Sequence, residues 1–431
     1  MTTRKALKTE YLIIGNSAGG IGAAEAIREV DKKNPVTILS DEPYPAYSRP
    51  LISEYLSCER TVEEMLFRPS GFYEQNNIEL MLGKAVKSLD LKGKTVELEG
   101  GEKIAWKKLL LATGGIPIVP KMEGLDKSGV FKFLTLDDAK AIDDFIKDNS
   151  RAVVIGGGLI GISVSEALTK RDVPVTIVEM KDRVLNTILD ERASAIAEEM
   201  IKQAGIRVIV NNTVSEIIGE KAVEGVVLNS GEIIPCDMVV IAIGVLPRIE
   251  LVKGTEIEIN RGILVDRYMA TSVPDVYACG DAAEAYDFII NANRLIPIWP
   301  NAYIGGMTAG ANMAGVKTEY PGGTVMNSVN YFGMDITSAG IVLPPDGNCE
   351  VLTRDSDGIY QKVMVSGGQV IGMVFVKDIE KSGMIFGLMR DRVDVSNFKQ
   401  ALLAEDFGLA YMPRELWQER LGNISLLVSK R

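Results

Sequence analysis

A chain of 431 residues is too long for one hydrophobic core, which stops growing at roughly 250 to 300 residues, so three domains, or two plus a smaller third, are expected. Hydrophobic residues make up 46% and charged residues 24%, an ordinary globular balance that leaves no room for a long low-complexity region. The net charge of −11 argues against nucleic acid as a partner, because phosphate binding needs a positive surface.

No apolar run approaches the roughly 18 residues of a membrane helix, and the first ten residues are polar, without the apolar centre of a signal peptide. The expectation is therefore a cytoplasmic protein without membrane insertion. Four scattered cysteines (Cys58, Cys236, Cys279, Cys349) form no C-x-x-C pair and no cluster, which fits a reducing compartment and predicts no metal site. Histidine is absent, so any mechanism that needs an imidazole is excluded at the outset.

In chain order, an apolar strand over 11–14 turns through Gly15-Asn16-Ser17-Ala18-Gly19-Gly20 into an Ala-rich helix over 21–29, and a second strand follows at 36–39. This is a βαβ unit whose turn and helix N-terminus aim backbone N–H groups at a pyrophosphate, although Ser17 occupies the middle glycine position. An apolar run then ends in Ala112-Thr113-Gly114-Gly115. The βαβ pattern recurs where a strand over 152–155 enters Gly156-Gly157-Gly158-Leu159-Ile160-Gly161 and a helix over 162–170, with all three glycine positions filled. Its second strand, 175–178, ends in Glu179, 23 residues beyond Gly156, where an acid accepts bonds from an adenosine ribose and repels a 2′-phosphate. That favours NADH over NADPH, with Lys181 and Arg183 just beyond as the counter-signal. One such glycine motif can be a plain strand-to-helix turn; two in strand-turn-helix context point to paired dinucleotide sites. A strand over 239–243 ends in Gly244, and Asp275-Val276-Tyr277-Ala278-Cys279-Gly280-Asp281-Ala282 supplies a strand, a glycine turn and a carboxylate. Beyond 323, short strands are expected at 361–365 and 370–376, with Tyr331, Phe332, Tyr411 and Trp417 as core or subunit-contact aromatics.

This order of motifs resembles the pyridine nucleotide-dependent flavoprotein reductases, in the branch of NADH:rubredoxin reductases, ferredoxin reductases and the large subunit of NADH nitrite reductase. The resemblance implies an α/β protein with two Rossmann-like dinucleotide-binding domains, for FAD and NAD, and a C-terminal α+β interface domain. The implied division is FAD domain 1–112 and 246–322, NAD domain 113–245 inserted between them, and a third domain 323–431. On the FAD side it implicates Gly15, Ser17, Ala18 and Gly20 at the first turn, and Gly280 with Asp281 toward the ribityl chain. The loop 40–50 places Asp41 or Glu42 on the adenosine and Arg49 on the phosphates; Val86 meets the adenine. Ala112, Thr113 and Gly114 touch the cofactor, and the segment of Trp299 and Ala302 runs beneath the flavin pyrimidine. On the NAD side stand Gly156, Gly158, Leu159, Ile160, Gly161, Glu179 and Gly244.

The resemblance further implies hydride transfer between NAD(H) and FAD, with electrons passing to a rubredoxin, a ferredoxin or an iron–sulfur subunit. A homodimer or a hetero-oligomeric complex is compatible with it. The spelling of the first turn and of 407–421 is also similar to flavin subunits of anaerobic 2-oxoacid or aldehyde oxidoreductases, in which electrons run toward NAD+. The C-x4-C pair and histidine of the disulfide reductases are missing. An alternative thiol route is Cys58, whose surroundings resemble the single redox cysteine of NADH oxidases, peroxidases and CoA-disulfide reductases; the longer preceding loop instead puts Ser53 at the helix start facing the flavin. Where ferredoxin reductases carry a Lys and a Glu beside the flavin, this chain has Glu54 and Ser163. Glu54 either tunes the flavin or faces solvent. A third class is a flavoprotein whose redox state governs partner binding without turnover.

Overall fold

The computed structural model describes residues 7–344, 347 and 349–414. Trp417, residues 415–421 of the C-terminal run and the first six residues of the polar N-terminal stretch lie outside the described residues. The chain divides into two compact units, Met1–Val184 with Ile201–Val325, and Leu185–Met200 with Met326–Arg431. Among the described residues no helix is long and apolar enough to cross a membrane.

The first unit is built on two sheets. In the first, the strands run in the spatial order Ile78–Met81, Val36–Leu39, Leu7–Ile14, Lys103–Leu111, Thr95–Leu98, Val86–Asp90, and Val276–Ala278 pairs with Lys103–Leu111. The strand Lys103–Leu111 shows how sequence sets pairing. Its first half alternates exposed and buried residues and pairs antiparallel with Thr95–Leu98; its second half, Leu109-Leu110-Leu111, is wholly buried and pairs in parallel with both Leu7–Ile14 and Val276–Ala278. A strand covered on both faces must be apolar throughout, whereas a half-solvated one alternates. The chain thus leaves the first sheet at Leu111 and returns to that same strand at Val276.

Between those points lies the second sheet, entirely parallel, in the order Arg207–Ile209, Val175–Val178, Ala152–Ile155, Met238–Ile241, Val130–Lys132. Its central strands are fully buried four-residue apolar runs. A three-stranded antiparallel sheet, Val214–Ile218, Gly225–Leu228 and Ile233–Pro235, packs its buried residues with those of this parallel sheet in one cluster.

The two cradle helices start three residues earlier than the apolar periodicity suggests, at Ala18 (Ala18–Val30) and at Leu159 (Leu159–Thr169), because their glycine-bearing first turns carry no periodic signal. The helix Ala18–Val30 packs against Trp299–Met313 backbone to backbone. A Cβ on Gly306 would lie 2.0 Å from the Gly19 carbonyl oxygen, and one on Gly310 2.3 Å from that of Ala23. That seam admits only glycine on the second helix, and it fixes Trp299 at the helix start beside the first sheet's turn.

The second unit holds a five-stranded antiparallel sheet in the order Met326–Tyr331, Met334–Gly340, Gln369–Val376, Ile359–Ser366, Glu350–Ser356, with the helix Ser382–Arg390 packed on Gln369–Val376. The two expected strands lie within Ile359–Ser366 and Gln369–Val376, joined by Gly367 and Gly368, both at positive φ (56° and 78°) as a tight hairpin demands. Phe332 (φ 52°) with Gly333 (φ 76°), and Asp357 (φ 53°) with Gly358 (φ 74°), make two further two-residue hairpin turns, while Tyr331 is buried and Tyr411 exposed. Within this unit the Asp190 carboxylate accepts bonds from Lys362 Nζ, from Tyr360 Oη at 2.7 Å and from the Ala193 N–H at 3.0 Å. Lys362 Nζ also donates to the Val342 carbonyl at 2.7 Å. Burial pushes the Asp190 carboxyl up, yet these donors together hold it below the usual carboxylate value.

Lys362 is 4% exposed and Asp190 8%, so removing one partner strands a charge in a low-dielectric site. Lys362→Met is expected to cost about 3–5 kcal/mol of stability, read from chemical denaturation, while Asp190→Leu with Lys362→Met recovers at least half of the loss.

Candidate functional site

Both glycine turns have the same backbone geometry. Gly15 sits at φ 119° and Gly156 at φ 108°, which L side chains rarely adopt. A Cβ on Gly20 would lie 1.9 Å from the Gly15 carbonyl oxygen, and one on Gly161 1.9 Å from that of Gly156. The third glycine of each motif therefore closes the turn, bringing the helix N-terminus against the strand end. Neither helix N-terminus is capped by a side chain, and neither carries an acid in its first turn. Helix Leu136–Phe145, in the same unit, shows the contrast: Thr135 and Asp138 form a full capping box there. Each turn thus presents a helix N-terminus without an N-cap side chain or an acid in its first turn, where the helix dipole favours an anionic ligand.

Around the first cradle the structure gathers a groove in two compartments. One is lined by Gly15, Ser17 and Ala18 of the turn, by Asp41, Glu42 and Arg49 of the following loop, and by Ala112, Thr113 and Gly114. Gly280, Asp281, Trp299 and Ala302 line it as well. Gly20 lies behind the lining, against Gly15. Val86 lines the other compartment with Lys84 and Lys87. Gly15, Asp41, Thr113 and Arg248 border both compartments. An elongated ligand with an anionic middle, such as FAD, fits this cradle-centred groove. Burial raises the Asp281 carboxyl above its usual value while the Arg49 charge opposes that, and a carboxylate in such a place accepts hydroxyl donors.

The polar shell is held from behind. Tyr73 Oη donates to Asn16 Oδ1 at 2.8 Å, fixing the cradle residue that follows Gly15. Glu42 pairs with Arg49 and accepts from Tyr47 Oη at 2.6 Å; the Tyr47 hydroxyl accepts the Leu136 N–H at 3.0 Å, and burial raises its pKa. Asp41 pairs with Arg248 at 2.5 Å. Arg248, Asn16, Tyr44 and Tyr47 were not singled out by sequence reasoning. For Arg248 no spacing signal exists, since its partner lies 207 positions away.

At the second cradle Glu179 is buried, and its carboxylate accepts the Gly157 N–H at 2.6 Å and the Lys181 N–H at 2.8 Å. The acid is thereby locked against the glycine turn. Arg183 is drawn to Asp182 at 2.8 Å, and Lys181 is exposed. Gly158 is the residue that precedes the helix, Leu159 and Ile160 form its first turn, and Gly244 (φ 115°) follows the adjacent strand Met238–Ile241.

The flavin-proximal candidates are placed differently. The short helix Ile52–Leu56, bearing Glu54, packs against the helix bearing Ser163, and Arg171 Nη1 donates to the Leu56 carbonyl at 2.9 Å to hold the two together. The Glu54 carboxylate, 37% exposed, pairs with Arg60, and neither Glu54 nor Ser163 is in the groove lining. Cys58 is exposed at φ 62°, past the end of that helix, and is also absent from the lining. Cys279 does line the groove, but full burial pushes its thiol up to about 12, as burial does for Cys236. Neither buried thiol is a nucleophile near neutrality. Among the described residues no group of three or more His, Cys, Asp or Glu could hold a metal.

Comparison with known proteins gives the same picture. A family profile described as pyridine nucleotide-disulphide oxidoreductase matches residues 9–306, and one described as rubredoxin NAD+ reductase C-terminal domain matches 326–393. The epsilon subunit of NADH-dependent phenylglyoxylate dehydrogenase from Aromatoleum evansii is 31% identical over 92% of this chain and 95% of its own length. NAD(P)H nitrite reductase of Bacillus subtilis is 29% identical over 90% of this chain, which spans 48% of that longer protein. The crystal structure of NADH:rubredoxin oxidoreductase from Clostridium acetobutylicum superposes with a TM-score of 0.76 at 26% identity, covering 90% of this chain and 97% of that one.

The equal closures at Gly20 and Gly161 allow the cradles to be broken separately. Gly161→Ala places a methyl group against a carbonyl that no side-chain rotation can clear. The variant is expected to retain its yellow flavin spectrum while NADH bleaches it at least about tenfold more slowly, as measured by rapid-mixing absorbance.

Proposed function

Given that the chain belongs to the pyridine nucleotide-disulphide oxidoreductase family and is an FAD-dependent NAD(P)H oxidoreductase, we propose that it is the NADH-reactive flavin component of an electron-transfer system whose other member is a rubredoxin, a ferredoxin or an iron–sulfur subunit. The observation that carries this reading is the presence of two equivalent anion cradles in one compact unit, with neither a thiol pair nor a histidine beside them. A dithiol relay needs both, and Cys58 is outside the groove lining, which supports the flavin itself as the exit point for electrons. When bound, FAD supplies the ring chemistry that accepts a hydride and releases single electrons, which nicotinamide cannot do.

The chain's own residues do the rest. The cradle at Gly15 holds the FAD pyrophosphate, Arg49 stands by with its charge, and Asp281 offers an acceptor to the ribityl hydroxyls. The cradle at Gly156 holds the nicotinamide dinucleotide, and Glu179 takes the adenosine ribose. Its two oxygens each hold one backbone N–H and keep lone pairs for ribose hydroxyls, whereas a 2′-phosphate there meets a buried anion. NADH preference follows, and Arg183, drawn to Asp182, does not reverse it.

The epsilon-subunit relative supports placing the chain as a subunit of a 2-oxoacid dehydrogenase, and in our reading electrons there run toward NAD+. That match runs nearly end to end in both chains, while the nitrite reductase match covers half of a longer protein. No placement of Cys58 favours the thiol reading.

Purified protein reconstituted with FAD is expected to be bleached by NADH and to reduce artificial dyes, with little oxygen or peroxide turnover. A colourless protein that refuses flavin, or a flavin that NADH never reduces, overturns the assignment. For Glu179→Ala the ratio of NADPH to NADH efficiency, kcat/KM, should rise by at least about tenfold, or about 1.4 kcal/mol. An unchanged ratio removes Glu179 from the ribose site.

A further inference from the structure

The chain passes between its two sheets twice, after Lys103–Leu111 and after Met238–Ile241, and the crossing segments pair as an antiparallel ribbon, Gly115–Pro117 with Val245–Pro247. A ribbon of two three-residue strands is a slender joint, so the spacing of the two cradles depends on contacts made elsewhere. Those contacts converge on one short element. The turn Arg49–Leu51 runs straight into the helix Ile52–Leu56, which packs against both Leu136–Phe145 and Leu159–Thr169. These two helices follow the strands Val130–Lys132 and Ala152–Ile155 of the second sheet.

Arg171 closes this junction. It stands two positions beyond Thr169, the last residue of the helix whose first turn is the second cradle. Its Nη1 donates to the Leu56 carbonyl at 2.9 Å and to Asp143 Oδ1 at 2.7 Å. A carbonyl at a helix end lacks an intrahelical partner, and a guanidinium satisfies it well. One nitrogen therefore ties the end of Ile52–Leu56 to Asp143 of Leu136–Phe145 and to the C-terminal end of Leu159–Thr169. The Arg171 side chain is 24% exposed, whereas the neighbouring Lys170–Glu59 pair is 42% and 47% exposed and correspondingly weak. A continuous run thus leads from Arg49 in the lining of the first groove, along 49–56, across Arg171, and along Leu159–Thr169 to the second cradle. Arg171 itself lines neither compartment of the groove.

We propose that Arg171 is a positioning residue for hydride transfer, fastening the second cradle's helix to the first groove's helical run so that the nicotinamide meets the flavin at reacting distance. This rests on the assignment of the two cradles to FAD and NAD(H). Reacting atoms must approach to about 3–3.5 Å, and a displacement of about 1 Å caused far from the chemistry costs up to about 100-fold in rate. Arg171 leaves both cradles complete when it is removed and alters only how they face one another. Its loss therefore slows the transfer without weakening either cofactor's binding.

The test follows flavin reduction by rapid-mixing absorbance over a range of NADH concentrations, which separates the limiting rate from the NADH Kd, and measures the FAD Kd alongside. Arg171→Met is expected to lower the limiting rate about ten- to thirtyfold, while both Kd values move by less than about twofold. Arg171→Lys, which keeps one donor for two acceptors, should fall between that variant and the wild type. Asp143→Leu, which spares the Leu56 bond, should lose about threefold, and Lys170→Met should stay within about twofold of the wild type. If Arg171→Met yields no folded holoprotein, Arg171→Lys and Asp143→Leu carry the test. Unchanged limiting rates overturn the positioning role and leave the cofactor assignments intact. A loss explained by a weaker Kd for either cofactor overturns it too, as does an equal fall in Lys170→Met. A wild-type flavin that NADH never reduces overturns the underlying assignment and the role of Arg171 with it.

Discussion

At each glycine turn the third glycine of the motif lies so close to the first that a single methyl group would sit 1.9 Å from its carbonyl oxygen. This contact sets how a helix leaves a parallel strand. With it in place, the helix begins directly at the strand end, and in neither helix does the N-cap residue's own side chain cap the first turn. Everything chemical in the first unit depends on that geometry, since it is what lets the main chain approach a pyrophosphate. The glycine seam between Ala18–Val30 and Trp299–Met313 extends the same device, because close backbone packing there brings Trp299 and Ala302 into the groove lining.

What the chain lacks narrows the chemistry as firmly as what it holds. Without histidine the groove has no imidazole, and Cys279, which lines it, is kept protonated near neutral pH by burial. The polar groups at the groove are carboxylates, two guanidiniums, two ammonium groups, hydroxyls, phenols and backbone amides, which bind and orient. A site so equipped leaves the redox step to its cofactors and contributes position and polarity.

Much of this was legible in the amino-acid sequence, for reasons that can be stated residue by residue. The cradles were visible because glycine spacing is imposed by local backbone geometry, which a short window of sequence records. The buried strands were visible because parallel strands covered on both faces read as unbroken apolar runs. The helix starts at Ala18 and Leu159 were less so, since their first turns carry cradle residues instead of amphipathic ones. Side-chain pairings between distant segments left no trace. Arg248 reads as an unremarkable residue after Pro247, and Glu54 gave no sign that Arg60, rather than the groove, would take its carboxylate. Asp190 and Lys362 likewise carried no pattern, because the pairing that makes them significant exists only once the second unit has folded.

The two cradles share their glycines and differ in what their acids hold. Glu179 folds back on its own turn, taking the Gly157 and Lys181 amides, so the second cradle is a self-contained unit of strand, turn, helix and acid. At the corresponding place in the first cradle the acids reach outward, Glu42 to Arg49 and Asp41 to Arg248. One basic group from the same loop, Arg49, and one from a distant segment, Arg248, are thereby held at the rim of the first groove. A site ringed by residues from several distant segments encloses its ligand, and a site made from one contiguous segment leaves its ligand free to come and go. The first arrangement suits a resident cofactor and the second a substrate that must exchange at every turnover, which is the division of labour an NADH-dependent flavoprotein requires.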